Sequence, residues 1–321
     1  PVMNSVPSLS FQSLDRYLRS PDFRSRYRHV PEQIADRIMR YGAAVGSVIE
    51  CHDKIPRCME RLQEMISEAE EKGTTLPSGT VVLAHELQNG SGRFNRFWHA
   101  PKGGLWMAVA WADTLLPEYA RLLPLAAGTA CCEAVRSCEV EAAIKWVNDI
   151  HVHGRKIGGI LCETYTAKPS GDRYHLIGIG INCNVGKFPL ELQESAASMH
   201  ETLGQPIDLD RFALVLLASM VWNFGLVHLQ EEYDLENREG DLAPDRNGKR
   251  PLVLDAWLAL SDTVGRRVRY GYDVVRQPLY NATVLDIDHS GGLVMQLEDG
   301  STVTEYSGEI IYLDGTSSAG S

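Results

Sequence analysis

The chain has 321 residues, of which 44% are hydrophobic and 23% charged, and its formal net charge is −11. This composition is typical of a soluble globular protein. The excess of negative charge argues against broad nucleic-acid binding, which depends on neutralising phosphates. We find no apolar run that approaches the length needed to span a bilayer and no signal-peptide pattern at the N-terminus, so we expect a cytoplasmic protein without a membrane contact. The seven cysteines have no CxxC spacing, which favours reduced thiols over zinc or disulfides.

Residues 1–42 form a polar N-terminal extension. Its Arg-rich part predicts one helix, from about Pro31 to Arg40, which ends at Gly42. One helix is too little for a helix-turn-helix. We therefore expect no DNA partner, in agreement with the net charge.

The central part, residues 43–250, predicts an α+β domain. An amphipathic helix is predicted for "PRCMERLQEMISEAEEKG", a buried helix with a kink at Pro124 for "PEYARLLPLAAGTACCEAVRS", and a long helix for residues 208–232. Strands are predicted for "AAVGSVIEC", "GTVVLAHEL", "LWMAVAWA", "AIKWV", "IHVHG", "KIGGILCETY" and "RYHLIGIGINCN". The last four strands follow one another without helices, which implies hairpins and a mixed sheet flanked by helices.

The C-terminal part, residues 251–315, predicts a small all-β barrel. Before it, "ENREGDLAPDRNGKR" is charged and rich in helix-breaking residues, which is typical of a linker. After it come short strands separated by Ser-Gly-Gly and Asp-Gly turns. Residues 316–321 predict a disordered tail.

Charged and amide side chains interrupt two apolar strands of the central part. Lys145, Asn148, Asp149 and Lys156 lie within "KWVNDIHVHGRKIGGILCET". Buried charges are costly unless they are paired or used. These residues therefore either neutralise one another or surround an anionic ligand.

Glycines interrupt the neighbouring apolar segments. Gly158 and Gly159 interrupt one strand, "IGIGINCN" alternates glycine with apolar residues, and the loop "QNGSGRFNRFWHAPKGG" carries Arg93. Glycine weakens a strand unless something must pack close to it, and arginine binds carboxylate or phosphate. Each signal alone has a simpler explanation, because a loop can be a flexible turn and Trp98 can be a core residue. Together they predict a cavity for a flat or extended anionic ligand.

The order of these motifs resembles that of biotin protein ligases, members of the biotin/lipoate ligase superfamily. "QNGSGRFNRFWHAPKGGLW", "KWVNDI", "GRKIGGILCE" and "GIGINCN", followed by a small β-domain ending in "SGEIIYL", cover roughly residues 43–313. The resemblance implies a ligase-like catalytic domain and a C-terminal SH3-like barrel, without the DNA-binding domain of the repressor type. It implies an enzyme that uses ATP and Mg²⁺ to convert biotin into biotinyl-5′-AMP. The biotinyl group is then transferred to a lysine of a biotin carboxyl carrier domain. The resemblance also allows a homodimer.

The resemblance assigns roles to matching residues. It implies that Arg93 binds the carboxylate and then the adenylate phosphate, that Lys156 and Lys145 stabilise developing charge, and that Asp149 orients the phosphate or Mg²⁺. The implied nucleotide-binding residues are Trp98, Asn148 and Asn182. The implied substrate-binding residues are Gln88, Gly90, Ser91, Gly92, Lys54, Gly158 and Gly159.

Two stretches depart from the family pattern. The Ser-Thr pair that contacts the ureido group is replaced in "HDKIPR" by Lys54 and Ile55, and the loop GRGRRGR becomes "GSGRFNR". Alternatives therefore stay open: a ligase or transferase for another acid such as lipoate or octanoate, a non-catalytic binding paralogue, and a coincidence of fold. Weaker binding of biotin than in a ligase with Ser-Thr is expected.

Overall fold

The structure is a computed structural model that describes residues 9–236 and 250–314, apart from the side chain of Asn95. The helices within these residues are α1 Phe11–Leu18, α2 Pro21–Arg26, α3 Glu32–Gly42, α4 Cys58–Glu71, α5 Pro117–Ala120, α6 Leu123–Arg136, α7 Met199–Leu203, α8 Leu209–Glu236 and α9 Leu252–Leu260. The strands are β1 Ile49–His52, β2 Thr80–Ala84, β3 Leu105–Ala112, β4 Ala143–Lys145, β5 Asp149–Val152, β6 Arg155–Thr166, β7 Arg173–Ile181, β8 Arg267–Gly271, β9 Tyr280–Ile287, β10 Leu293–Leu297, β11 Thr302–Glu305 and β12 Glu309–Tyr312.

A seven-stranded sheet forms the centre of the molecule, with the order β1-β2-β3-β7-β6-β5-β4. The pair β1–β2 is parallel and the other pairs are antiparallel. Helix α4 packs on one face, against β2, β3 and β7, and α6 packs on the other face, against β4, β5 and β6. The predicted hairpins and mixed sheet are confirmed.

Helix α8 is apolar around most of its circumference and packs against α3 and α6. By length and composition it could cross a membrane, so the statement that no apolar run has this length is wrong. The reason for its composition is burial, since 89% of its most apolar window lies inside the protein. A helix that is hydrophobic all round is expected in the core of a large domain.

The N-terminal extension contains three helices, so the prediction of a single helix is wrong for residues 9–42. The serine caps of α1 and α2, Ser10 and Ser20, accept hydrogen bonds from backbone N–H groups of the first helical turn, a signal that was not read from the sequence. The connection after α2 is held to the core by Tyr27, whose ring stacks on Trp222 at 3.7 Å. Its hydroxyl donates to Glu133 at 3.3 Å. The N-terminal helices are therefore packed on α8 and the helical layer around it.

Glu133 is a half-buried carboxyl group of α6 that accepts a hydrogen bond from Asn223 of α8. Burial raises its pKa to about 7, although Asn223 donates to it at 2.9 Å and Tyr27 also donates. Because this group resists ionisation at neutral pH, it makes the stability of the helical layer depend on pH.

Two further segments differ from the sequence prediction. The predicted helix with a kink at Pro124 is divided into α5 and α6, and Pro124 occupies the first turn of α6, where its missing N–H leaves no hydrogen bond unmade. Helix α9, which the sequence reading did not assign, packs against α6 and α8. Its apolar side chains pack against those two helices.

The C-terminal strands form a second sheet, antiparallel, with the order β11-β10-β9-β8-β12. This arrangement is consistent with the predicted SH3-like domain. Within residues 250–314 no strand pair joins β11 to β12, so the sheet is open there. Most of the predicted linker and the predicted tail, residues 316–321, lie outside the described residues.

Candidate active site

A cavity of about 730 Å³ opens between the two sheets. Its walls are β5–β7 of the central sheet, the Gly-rich loop before β3, the start of α4 and part of the second sheet. This volume lies in the range of small-molecule and cofactor sites.

Four of the sequence motifs meet in a single row across the central sheet. Lys145 pairs with Asp149, Asp149 with Gly159, Gly159 with Gly180, and Gly180 with Trp106. Directly opposed residues of antiparallel strands point to the same face. Motifs that are far apart in the sequence therefore become neighbours on one face of the sheet.

One end of this row is a cluster of charges. Lys156 Nζ donates to Asp149 Oδ1 at 2.5 Å, which answers how charged side chains are accommodated in these strands. Burial alone would raise the pKa of Asp149, but Lys156, Lys145 and Arg93 hold it below its ordinary value. Burial lowers the pKa of Lys145 and of Arg93. The cluster holds three cations around one carboxylate, and the uncompensated positive charge can bind an anion.

The Gly-rich loop folds into a small hairpin over the cavity. The backbone N–H of Trp98 donates to the carbonyl of Gly90, and that of Gly92 donates to the carbonyl of Arg96, both at 2.8 Å. A Cβ atom on Gly90 would lie 2.3 Å from the Trp98 carbonyl, so glycine is required for this close approach. At the tip, the guanidinium of Arg93 lies 5.1 Å from the ring centroid of Phe94.

The indole of Trp98 occupies the space that two strand glycines leave open. A Cβ atom on Gly180 would lie 2.8 Å from Trp98 Nε1, and one on Gly159 would lie 3.6 Å from Trp98 Cη2. Lys156 Nζ lies 5.1 Å from the centroid of the Trp98 ring. These glycines therefore admit an aromatic side chain beside the lysine, and Trp98 is a wall of the site rather than a remote core residue.

Most of the predicted site residues line the cavity. The residues that do so are Ser91, Gly92, Arg93, Trp98, Lys145, Asp149, Lys156, Gly159 and Asn182. Asn182 also donates through Nδ2 to the carbonyl of Ala197 at 3.1 Å.

Five predicted residues are not among the lining residues: Lys54, Gln88, Gly90, Asn148 and Gly158. Lys54 forms an ion pair with Glu86 at 2.5 Å, and 46% of its side chain is exposed. Gln88 is exposed. A Cβ atom on Gly158 would lie 2.4 Å from Ile181 Cδ1, so that glycine serves packing.

Asn148 supports the site from behind. Its side chain is buried, and its Nδ2 donates to the carbonyl of Ile160 at 2.6 Å. The next residue along the chain is Asp149. Asn148 therefore anchors the backbone next to this carboxylate, and its side chain does not line the cavity.

Residues at the start of α4 line the cavity without having been predicted. Arg57, Cys58 and Met59 do so, and the sulfur of Met59 would lie 2.7 Å from a Cβ atom on Gly178. The signal in the sequence was the alternation of glycine in "IGIGINCN", because each missing side chain must be replaced by something. It did not reveal which residue fills the space.

The second sheet contributes to the same cavity. Arg96 in the Gly-rich loop forms an ion pair with Glu309 at 2.6 Å and lies 3.8 Å from Asp273. The ring centroid of Tyr312 lies 5.7 Å from Lys145 Nζ. Thus β12 and the turn after β8 complete the wall opposite the central sheet.

The residues of the site do not form a metal centre of their own. Within residues 9–236 and 250–314 no group of three or more His, Cys, Asp or Glu side chains has the spacing to hold a metal ion. Asp149 is already paired with Lys156 and lies beside two further cations. This carboxylate does not fit a resident Mg²⁺ site.

Comparison with known proteins finds similarity to ligases. Residues 58–184 match the model of the Biotin/lipoate A/B protein ligase family. The chain is 30% identical over 194 residues to the Bifunctional ligase/repressor BirA of Bacillus subtilis, which covers 58% of each chain. It is 29% identical over 245 residues to the Biotin–[acetyl-CoA-carboxylase] ligase of Mycobacterium tuberculosis, which covers 73% of this chain and 79% of that protein.

The fold agrees as well. The biotin protein ligase from Aquifex aeolicus, solved in complex with biotin and ATP, superposes with a TM-score of 0.62 at 21% identity and covers 82% of this chain and 97% of that chain. The chain spans 58% of the length of the first curated relatives that it matches. Its fold is similar to that of the Aquifex aeolicus ligase, and residues 58–184 match a ligase family model. Within that class, the chain resembles the biotin protein ligases.

Proposed function

We propose that this protein is an ATP-dependent, AMP-forming biotin–protein ligase. The observation that carries the proposal is the cluster of Arg93, Lys145 and Lys156 around Asp149, at one end of a largely apolar cavity. The name of the relative from Mycobacterium tuberculosis, a Biotin–[acetyl-CoA-carboxylase] ligase, supports biotin as the acid. The substrates are biotin and ATP, and the acceptor is a lysine of a biotin carboxyl carrier domain.

In the first step, an oxygen of the biotin carboxylate attacks the α-phosphorus of ATP. A carboxyl O–P bond forms, the bond from the α-phosphorus to the bridging oxygen breaks, and pyrophosphate leaves with the electron pair. Such transfers require positioning and positive charge more than covalent help from the protein. Lys156 and Lys145 stabilise the charge that develops on the phosphate, and Arg93 holds the carboxylate and then the adenylate.

Asp149 keeps Lys156 in place for this step. The 2.5 Å contact between Lys156 Nζ and Asp149 Oδ1 restricts a long, flexible side chain to one position. A preorganised charge is more effective than a mobile one because it requires no reorganisation as the reaction proceeds. Mg²⁺ would arrive with the triphosphate of ATP and supply additional charge neutralisation there.

The nucleotide lies between the Gly-rich loop and the second sheet in this proposal. Trp98 offers an aromatic face, Asn182 offers an amide, and two buried polar atoms in this wall, Trp98 Nε1 and Glu309 Oε2, make no hydrogen bond to other described residues. Buried polar atoms are normally hydrogen-bonded, so a ligand is a natural partner for them.

In the second step, the ε-amine of the acceptor lysine attacks the carbonyl carbon of biotinyl-5′-AMP. An amide C–N bond forms, the bond from the acyl carbon to the phosphate oxygen breaks, and AMP leaves with the electron pair while the amine loses a proton to solvent. Arg93 retains the adenylate until the acceptor arrives.

The proposal extends to the surroundings of the enzyme. We propose a cytoplasmic location, no DNA or membrane partner, and a division of the chain into an extension (residues 1–42), a catalytic domain (43–250) and an SH3-like domain (251–315). A homodimer is compatible with this scheme, and the residues named in the two steps all belong to one chain.

The test is biotin-dependent exchange of labelled pyrophosphate into ATP, followed by transfer of labelled biotin to a purified carboxyl carrier domain. We expect both activities, each requiring ATP. Exchange that responds to lipoate or octanoate and not to biotin would establish the alternative acid. Absence of exchange with all three acids would favour a non-catalytic binding paralogue.

A further inference from the structure

The cavity has a cation at each end. Lys156 marks the end where the phosphate reacts, near the start of β6, and Arg57 lines the cavity at the start of α4. Lys156 Nζ would lie 3.1 Å from a Cβ atom on Gly159, whereas Arg57 Nη2 lies 3.9 Å from Glu163, four positions further along β6. A strand rises about 3.3 Å per residue, so Gly159 and Glu163 are roughly 13 Å apart along β6. Arg57 is therefore outside contact distance of the reacting centre.

An apolar section separates the two ends. Met59 lies over Gly178, and Ile160 and Leu161 of β6 complete the lining. An extended acid that binds with its carboxylate at Lys156 must pass along this section. Its other end then approaches Arg57.

The guanidinium of Arg57 is only loosely paired. Its nearest carboxylate oxygens, on Glu60 and Glu163, lie 3.6 and 3.9 Å away, which is farther than a hydrogen bond reaches. These carboxylates are 45% and 44% exposed, whereas the Arg57 side chain is 22% exposed. Exposed pairs of this kind contribute little, so the guanidinium keeps donors for a ligand.

We propose, resting on the proposed function, that Arg57 recognises the far end of the acid by donating hydrogen bonds to the carbonyl oxygen of a cyclic urea. Arg57 takes the part that the sequence analysis gave to Lys54, which does not line the cavity and pairs with Glu86. A charge-assisted hydrogen bond to a buried carbonyl is among the stronger polar contacts in a protein site.

This role predicts selectivity for biotin over acids with an apolar tail. The tail of octanoate would cover the guanidinium without offering an acceptor, and a charged donor that loses water without gaining a partner is penalised. We expect a preference of roughly ten- to a hundredfold for biotin, the range that corresponds to one unsatisfied buried polar group. Lipoate, whose ring carries no oxygen, should behave like octanoate.

The test compares Arg57→Met with Arg57→Lys and with a control on the same helix. Arg61→Met is the control, because Arg61 lies one turn further along α4 and pairs with Glu50 and Glu68 outside the cavity. We expect Arg57→Met to raise the Kd of biotin, measured by calorimetry, and its KM in pyrophosphate exchange by ten- to a hundredfold. The KM of ATP and the kcat at saturating biotin should stay within about threefold, since Arg57 is outside contact distance of the reacting centre. Arg57→Lys should restore part of the affinity, and Arg61→Met should leave it unchanged.

The outcomes separate this inference from the proposed function. If the wild type activates biotin and Arg57→Met binds it within twofold of the wild type, or if Arg61→Met weakens binding equally, the role of Arg57 is refuted and the function stands. If the wild type activates no biotin, both are refuted. Should Arg57→Met fail to fold, the wild type alone decides, because a preference for biotin over octanoate below tenfold overturns the inference.

Discussion

Replacing Lys156 with alanine removes the ammonium group that lies 2.5 Å from Asp149 and 5.1 Å from the ring centroid of Trp98. At about 4 Å and an effective dielectric constant near 20, two unit charges interact by roughly 4 kcal/mol. Both side chains of the pair are about one third exposed, at 36% and 35%, so solvent screens part of this interaction. We therefore expect a loss of about 3 kcal/mol of transition-state stabilisation, or roughly a hundredfold in rate, as for other preorganised groups.

Biotin-dependent pyrophosphate exchange measures this loss directly. Lys145 and Arg93 remain in the variant, so residual exchange is expected rather than none. Lys72→Ala is the matched control, because Lys72 is exposed at the end of α4 and does not line the cavity. Thermal unfolding should show that the Lys156→Ala protein is folded. Exchange within threefold of the wild type in a folded variant would refute the role of Lys156.

Three other substitutions test separate parts of the structure. Burial raises the pKa of Glu133 from 4.5 to about 7, so its contribution to stability is fully present below pH 4.5 and is lost as the pH rises through 7. Between pH 4.5 and 8, the free energy of unfolding of Glu133→Gln, measured in urea, should therefore rise relative to the wild type by up to roughly 3 kcal/mol. An equal difference at both pH values would contradict this. Arg93→Gly removes the charge-assisted hold on the adenylate, so labelled biotin should appear on an unrelated protein incubated with the variant; labelling as low as with the wild type would count against that hold. Arg96→Ala releases the loop from Glu309, and we expect the KM of ATP to rise up to about fivefold, the scale of an exposed ion pair; an unchanged KM would show that the loop needs no tether.

The charged row of the site could be predicted from the sequence because its physics is local. Lysine and aspartate inside apolar strands must be paired or used, and the structure brings Lys145, Asp149 and Lys156 together. The glycines of β6 and β7 could likewise be recognised as places of close approach. Their occupant, Trp98, comes from a loop whose conformation depends on contacts distant in sequence, so it could not be placed.

The far end of the cavity shows the limit of motif alignment. Lys54 and Arg57 are three positions apart, and only the start of α4 decides which of them turns toward the sheet. The same limit applies to α9, because a short apolar segment is compatible with a strand or a helix until its packing partners are known. The sequence predicts helix α8 as a long helix, but its length and composition alone do not distinguish a buried core helix from a membrane span, and only its packing among other helices does.

The most direct test of the central claim is a native mass spectrum of the purified protein after incubation with ATP, Mg²⁺, biotin and inorganic pyrophosphatase. We predict a single addition with the mass of biotinyl-5′-AMP, which disappears when a carboxyl carrier domain is added and reappears there as one biotin. No acyl-adenylate should be added when octanoate replaces biotin at the same concentration. An adenylate of another acid in preference to biotin, or no adenylate with any of the acids, would contradict the account.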